Sequence, residues 1–281
     1  MKKGIKFILL VLVLGIVSFI TYKNFSNKEI EVINKTQINE ENVEDTNINN
    51  FGDLEVTNDE VGVTVLGYHS INLDPNGKNP IAIDKERFRS HLQAIEDSGY
   101  TTLTMSQLNN YLNNNQPIPP KSVVITFDDG YMDNYENAFP LLKEFNMNAT
   151  IFIIPGMMDG NIYMSEKEVK ELIDYGIDIQ SHTLNHEELA TISYDKQKEE
   201  ITKAKALIED ITKKPVISIA YPYGSYNEDT IKITEEAGYN MAFTVERGYA
   251  KRNINKFKIN RVLIDYTYGI NDIKKVLKKS N

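Results

Sequence analysis

The sequence predicts a single α/β barrel, on three observations. From Val61 onward, short apolar runs alternate with amphipathic stretches of helical period. Repeated β–α units of this kind, over roughly 220 residues, fit one barrel better than two domains. Polar motifs follow directly on several of the apolar runs, the place where such barrels carry their active sites.

The elements follow in order. "VGVTVLGYH" reads as the first strand. "DKERFRSHLQAIEDSGY" sets Phe88, Leu92 and Ile95 on one helical face behind Asp84 as N-cap. "MSQLNNYLNN" is a short helix, and "IPP" breaks the chain before the strand "SVVITF". "NYENAFPLLKEFN" is helical, with a start or kink required at Pro140. "ATIFII" is a strand, and Ser165 and Glu168 have capping-box spacing at the start of "SEKEVKELIDYG". The strand "GIDIQSH", the long helix "YDKQKEEITKAKALIEDITKK" and the strand "VISIAYP" come next. A helix near Asn227 to Ala237, the strands "MAFTV" and "KINRVLI", and the helix "INDIKKVLKK" complete the series.

Ahead of this body lie two segments of different character. Lys2, Lys3 and Lys6 precede an uncharged apolar run of 16 residues, Phe7 to Tyr22. That is the layout of a signal-anchor, with the alternative of a cleaved signal peptide. Residues 1–22 are therefore expected to hold the protein to the outer face of a membrane, or to direct its secretion. Residues 23–60, with ten acidic side chains against three lysines, read as a disordered acidic linker. The linker carries −7 and the first 22 residues +3, so −5 of the net −9 falls on residues 61–281. A mildly acidic body without a basic stripe argues against nucleic acid as a partner, and a monomer is expected.

The chain has no cysteine, so any metal must be held by His, Asp or Glu. Only His69, His91, His182 and His186 are available. Three stretches, each at a strand end, carry the chemistry: "TFDDGY" with Asp128 and Asp129, "SHTLNHEEL" with His182 and His186, and "AYPYGSY". Adjacent carboxylates at the mouth of a core strand repel each other and resist desolvation. Two imidazoles and one carboxylate form a common set for a divalent catalytic metal, which leaves the other carboxylate free as a base. Alone, "FDDG" is an Asp–Gly turn, H-x-x-x-H one polar helix face and "YPYG" an aromatic turn. Their joint occurrence in this order points to a site. His91, mid-helix beside Phe88 and Ile95, reads as a packing or surface residue.

These motifs resemble the polysaccharide deacetylases, the NodB-homology or carbohydrate esterase family four. The likeness runs from about Ser122 to the C-terminus and more loosely back to Val61, with the core at about 120–281. It implies an irregular (β/α) barrel of about seven strands, with residues 61–281 as the catalytic domain. It also implies Asp128 as catalytic base, Asp129, His182 and His186 as metal ligands, and the Tyr223 backbone N–H as oxyanion donor within Tyr221, Pro222 and Tyr223. Two departures stand out. Ala220 occupies the position where the family's third motif begins with an arginine that orients the base. No histidine follows His186, so the late histidine that acts as general acid in many relatives is missing. "VLGYHSI" resembles the start of the branch acting on poly-N-acetylglucosamine, in which an N-terminal strand brings in a histidine; that implies His69 as the acid.

The implied activity is removal of N-acetyl groups from a cell-surface or cell-wall glycan containing N-acetylglucosamine. The implied metal is zinc, with cobalt, nickel or manganese as alternatives. Tyr68, Tyr131, Tyr163, Tyr221, Tyr223 and Tyr226 are candidates for stacking on sugar rings. Two rivals remain: an O-acetyl polysaccharide esterase using the same metal site, and a non-catalytic surface glycan-binding relic.

Overall fold

A computed structural model describes residues 51–73 and 79–278. Among the described residues eight parallel strands are present: β1 (Thr64–Tyr68), β2 (Thr101–Thr102), β3 (Ser122–Phe127), β4 (Thr150–Ile153), β5 (Asp178–Ser181), β6 (Ser218–Ala220), β7 (Met241–Arg247) and β8 (Ile259–Leu263). Seven of them close a ring in the order β1-β8-β7-β6-β5-β4-β3, with β1 pairing back onto β3. Ring closure is in register from Thr64 against Val123 to Tyr68 against Phe127. The eighth, β2, covers only the entry end of β3, where Thr101 faces Ser122. Two residues are too few to show any period, and for that reason the sequence pattern did not reveal β2.

Alternation along the strands sorts side chains into two layers. Val123, Ile125 and Phe127 of β3, with Leu66, Tyr68, Ile151, Ile153 and Val262, pack outward against the helices. Val65, Val124, Phe152, Phe243 and Ile259 fill the barrel interior, with Met105, Leu108 and Tyr111 in the same cluster. That parity has a functional result. Val124 and Thr126 point inward, so the next even position, Asp128, does too.

The helices are α1 (Lys85–Asp97), α2 (Met105–Asn113), α3 (Phe139–Glu144), α4 (Glu166–Tyr175), α5 (Tyr194–Thr212), α6 (Glu228–Glu236) and α7 (Ile270–Lys278). Asp84 caps α1 through the Arg87 N–H, and Ser165 with Glu168 forms the capping box of α4. Pro140 stands in the first turn of α3, where its missing N–H costs nothing. The stretch before it, Asn134–Ala138, is a π-helical turn, a geometry frequent at functional sites.

Of the segment read as a linker, residues 51–60 are described. Thr57 pairs with Ile118, and Phe51 packs against the interior cluster. The expected anchor, residues 1–22, and the rest of the linker lie outside the described residues. Among the described residues no helix is long and apolar enough to cross a membrane.

His91 is a packing residue. It is wholly buried on the inner face of α1, accepting from the Tyr68 hydroxyl at Nδ1 (3.2 Å) and donating from Nε2 to the Tyr268 carbonyl (3.0 Å). Burial lowers its pKa to about 4, only partly countered by the bond to Tyr268. Above about pH 6.5 the imidazole is neutral whether folded or not. As pH falls from there to about 4, the unfolded chain takes up a proton that the folded chain refuses, so stability is lost. The loss reaches about 3 kcal/mol from this residue. Urea unfolding between pH 4 and 7.5 should show a flatter stability profile for His91→Gln than for wild type; identical profiles would contradict this.

Candidate active site

Asp128 and Asp129 follow β3 directly. The Asp128 N–H donates to the Tyr68 carbonyl (2.9 Å), continuing the β1–β3 ladder to the rim. Asp129 and Gly130 then both take left-handed conformations, at φ +72° and +73°. A Cβ on Gly130 would lie 2.9 Å from Ile153 Cγ2, so only glycine fits this turn without strain. The double turn separates two neighbours in sequence: Asp128 remains tied to the barrel interior, while Asp129 faces the loop after β5.

That loop carries His182 and His186. The His182 N–H continues the ladder onto the Ile153 carbonyl (2.9 Å). Beyond it the chain is irregular, so the H-x-x-x-H pair is not a helix face: Thr183 and His186 have φ of +66° and +64°. Tyr223, in the turn after β6, has φ +56°. A β-branched residue such as Thr183 is a clear outlier there, and each such conformation stores about 1–3 kcal/mol. Four strained non-glycine residues therefore surround one point.

At that point one potential ligand atom from each of three residues converges. Asp129 Oδ1 is 3.4 Å from His182 Nε2 and 3.2 Å from His186 Nε2, and one ligand atom from each residue lies within 4.8 Å of the others. His182 Nδ1 must donate to the Ala220 carbonyl (2.8 Å), so in the neutral ring Nε2 is a lone pair. His186 Nδ1 is fixed by the Tyr223 hydroxyl at 3.1 Å. Asp129 Oδ1 is buried with no donor in hydrogen-bond geometry. Burial pushes Asp129 up, but the two imidazoles more than offset it and hold the carboxyl well below its usual range. Burial likewise pulls His182 down, and Asp128 with Asp129 raises it above its ordinary value. The donor set and the orphaned oxygen fit a divalent metal ion.

Asp128 has a different partner. Arg261, at an inward position of β8 and 0% exposed, grips it with two parallel bonds of 2.7 Å, one to each carboxylate oxygen. The guanidinium also donates to the Thr244 carbonyl and the Thr126 hydroxyl, and lies near the rings of Phe152 and Phe243. Burial raises the Asp128 pKa, and Arg261, with His182 and His69 beside it, more than reverses that and keeps the carboxylate ionised.

His69 completes the group. Its Nε2 is 3.8 Å from Asp128 Oδ2, and burial lowers its pKa despite that neighbour. The π-helical turn and the residue before it hold this segment: Asn134 donates to the His69 carbonyl (2.7 Å), while Asp133 accepts from Ser70 Oγ (2.6 Å) and the Ile71 N–H (2.8 Å). A strand end 60 residues upstream in sequence is thereby fastened beside Asp128.

A family model described as polysaccharide deacetylase matches residues 115–242. YxkH of Bacillus subtilis, assigned to the polysaccharide deacetylases, is 37% identical over 200 residues, 71% of this chain and 70% of its own length. The chain belongs to the polysaccharide deacetylase family. A poly-β-1,6-N-acetyl-D-glucosamine N-deacetylase of Staphylococcus aureus is 29% identical over 197 residues, covering 65% of this chain and 68% of that protein. Among solved structures, the Streptococcus pyogenes deacetylase PplD in complex with acetate aligns with a TM-score of 0.74 at 29% identity. That match covers 78% of this chain and 99% of PplD.

Within this family member the aromatic residues divide by exposure. Tyr223 is 64% exposed at the rim, and Tyr131 stacks on Tyr163 beside Asp129 (5.3 Å between centroids). Tyr68 and Tyr221 are wholly enclosed, so neither has a face to offer a sugar; Pro222 is buried as well. Arg261 is the residue missed in the sequence. Ala220 made the orienting arginine look absent, yet a guanidinium reaches Asp128 from another strand. The available signal was a lone arginine within the otherwise strand-like "KINRVLI".

Removing that guanidinium leaves Asp128 buried and unpaired. Arg261→Met should cost about 3–5 kcal/mol in urea unfolding, and adding Asp128→Asn should recover part of the loss. A single variant as stable as wild type would refute this account of the pair.

Proposed function

We propose that the protein is a metal-dependent N-deacetylase of a surface or cell-wall polymer containing N-acetylglucosamine. The observation that carries this reading is the meeting of Asp129, His182 and His186 beside an ionised, Arg261-held Asp128 and His69, on the rim of a polysaccharide deacetylase barrel. The Staphylococcus aureus relative supports the polymer class.

Asp129, His182 and His186 would hold the ion. When bound, a divalent metal such as zinc lowers the pKa of water towards neutrality and polarises an acyl oxygen; cobalt, nickel and manganese suit the same donors. Asp128 takes a proton from the attacking water, which is the task of an ionised carboxylate whose orientation Arg261 fixes. Water oxygen adds to the acetamide carbon, the C–N bond breaks, and the amine nitrogen needs a proton to leave. His69 delivers it, and at 3.8 Å from Asp128 it can also pass on the proton that Asp128 has taken. The Tyr223 backbone N–H, at a strained turn, stabilises the developing oxyanion. Exposed Tyr223, with the stacked Tyr131 and Tyr163, flanks the entrance for a sugar chain. The enzyme works as a monomer outside the cytoplasm, held to the membrane through residues 1–22.

The test is acetate release from N-acetylglucosamine polymers with zinc or cobalt supplied. Asp128→Asn should lose about 10²–10⁴-fold in rate while keeping its metal, whereas His182→Ala should lose the metal itself. Equal rates for wild type and Asp128→Asn would refute the role of Asp128.

A further inference from the structure

The loop that presents His182 and His186 is irregular and strained, so something outside it must hold its shape. The hold is placed at Asn185, immediately before His186. Glu200, on α5, is 0% exposed, yet carries a carboxylate. Its Oε2 accepts the Asn185 backbone N–H at 2.8 Å, and its Oε1 accepts the Asn185 side-chain amide at 2.8 Å. Lys196 Nζ approaches Oε1 at 3.5 Å from the more exposed side. On the other flank, Gly156 after β4 donates its N–H to the Leu184 carbonyl (2.9 Å). A Cβ at Gly156 would fall 2.4 Å from that carbonyl and 2.5 Å from Asn185 Oδ1. Within the loop, Thr183 Oγ1 accepts the His186 N–H (3.1 Å).

We propose that Glu200 is a positioning residue of the metal site: by clamping Asn185 at two points, it holds His186 in its left-handed conformation, with Nε2 aimed at Asp129. The inference rests on the metal-binding reading of Asp129, His182 and His186. Burying a carboxylate costs free energy unless its bonds are made, and here both oxygens serve one residue of the loop. A residue needed only for packing would not require a charge. A preformed loop binds a cation without paying the entropy of ordering it, so the clamp should appear in affinity, not only in folding.

The test uses the full-length protein stripped of metal, with zinc affinity measured by competition against a chromophoric chelator. Glu200→Gln removes the charge at nearly constant shape and turns an amide donor against one of the Asn185 donors. Its zinc affinity should fall about 10–100-fold, and the visible absorption of the cobalt-loaded form should change, while the metal-free circular dichroism stays that of wild type. Unaltered zinc affinity and cobalt spectrum in a folded Glu200→Gln protein would overturn the proposal. Should that variant fail to fold, Asn185→Ala keeps the backbone half of the clamp and should weaken zinc several-fold; wild-type affinity there would overturn it equally. A wild type that binds no zinc or cobalt would instead sink the metal-binding reading on which the inference stands.

Discussion

Two carboxylates stand side by side at the end of β3, both nearly enclosed, and electrostatics does not allow both to stay ionised without partners. The site is organised around how that conflict is resolved. Arg261 neutralises Asp128 with two 2.7 Å bonds inside the barrel, and the left-handed turn at Asp129 and Gly130 sends the second carboxylate to the histidine loop. If Arg261 were absent, Asp128 would have to take up a proton or move outward, and the base we propose would be lost. If the turn were regular, the two charges would face the same surroundings. The pairing is therefore what lets one strand end hold two carboxylates in different surroundings.

Support for this arrangement comes from several elements of the fold. Strand parity turns Asp128 inward with Thr126, and the same parity on β8 turns Arg261 towards it. Ring closure between β1 and β3 brings His69 alongside, and the π-helical turn fixes it there through Asp133 and Asn134. The β5 end and the turn after β6 meet at His182, whose Nδ1 is tied to Ala220, so the third motif fixes the tautomer of a residue in the second. Each contact joins segments distant in sequence. A parallel barrel makes this possible by bringing every strand's C-terminal end to one rim.

The β–α alternation made most of the fold legible in the sequence, because strands buried on both faces and amphipathic helices have distinct periods. "TFDDG" and "HTLNH" were legible for a different reason: such residues at strand ends are hard to explain as packing. What the sequence hid was long-range pairing. Arg261 sits within "INRVLI", where local pattern indicates only a strand, and its partner lies 133 residues away. Ala220 looked like the loss of an arginine because linear motifs cannot show that a guanidinium arrives from another strand. Tyr68 and Tyr221 seemed as available to sugars as Tyr223, since composition gives no depth. His91, readable as surface or core, is core because α1 meets β1 and Tyr268 on that face.

In the function we propose, Asp129, His182 and His186 hold one divalent ion while Asp128 stays outside it, paired with Arg261. A crystal structure of the zinc-loaded protein, with anomalous differences recorded across the zinc edge, tests this most directly. A single peak bonded to Asp129, His182 Nε2 and His186 Nε2 is expected, with both Asp128–Arg261 bonds intact. A peak ligated by Asp128 with Arg261 disengaged, or no peak at the three residues, would contradict it.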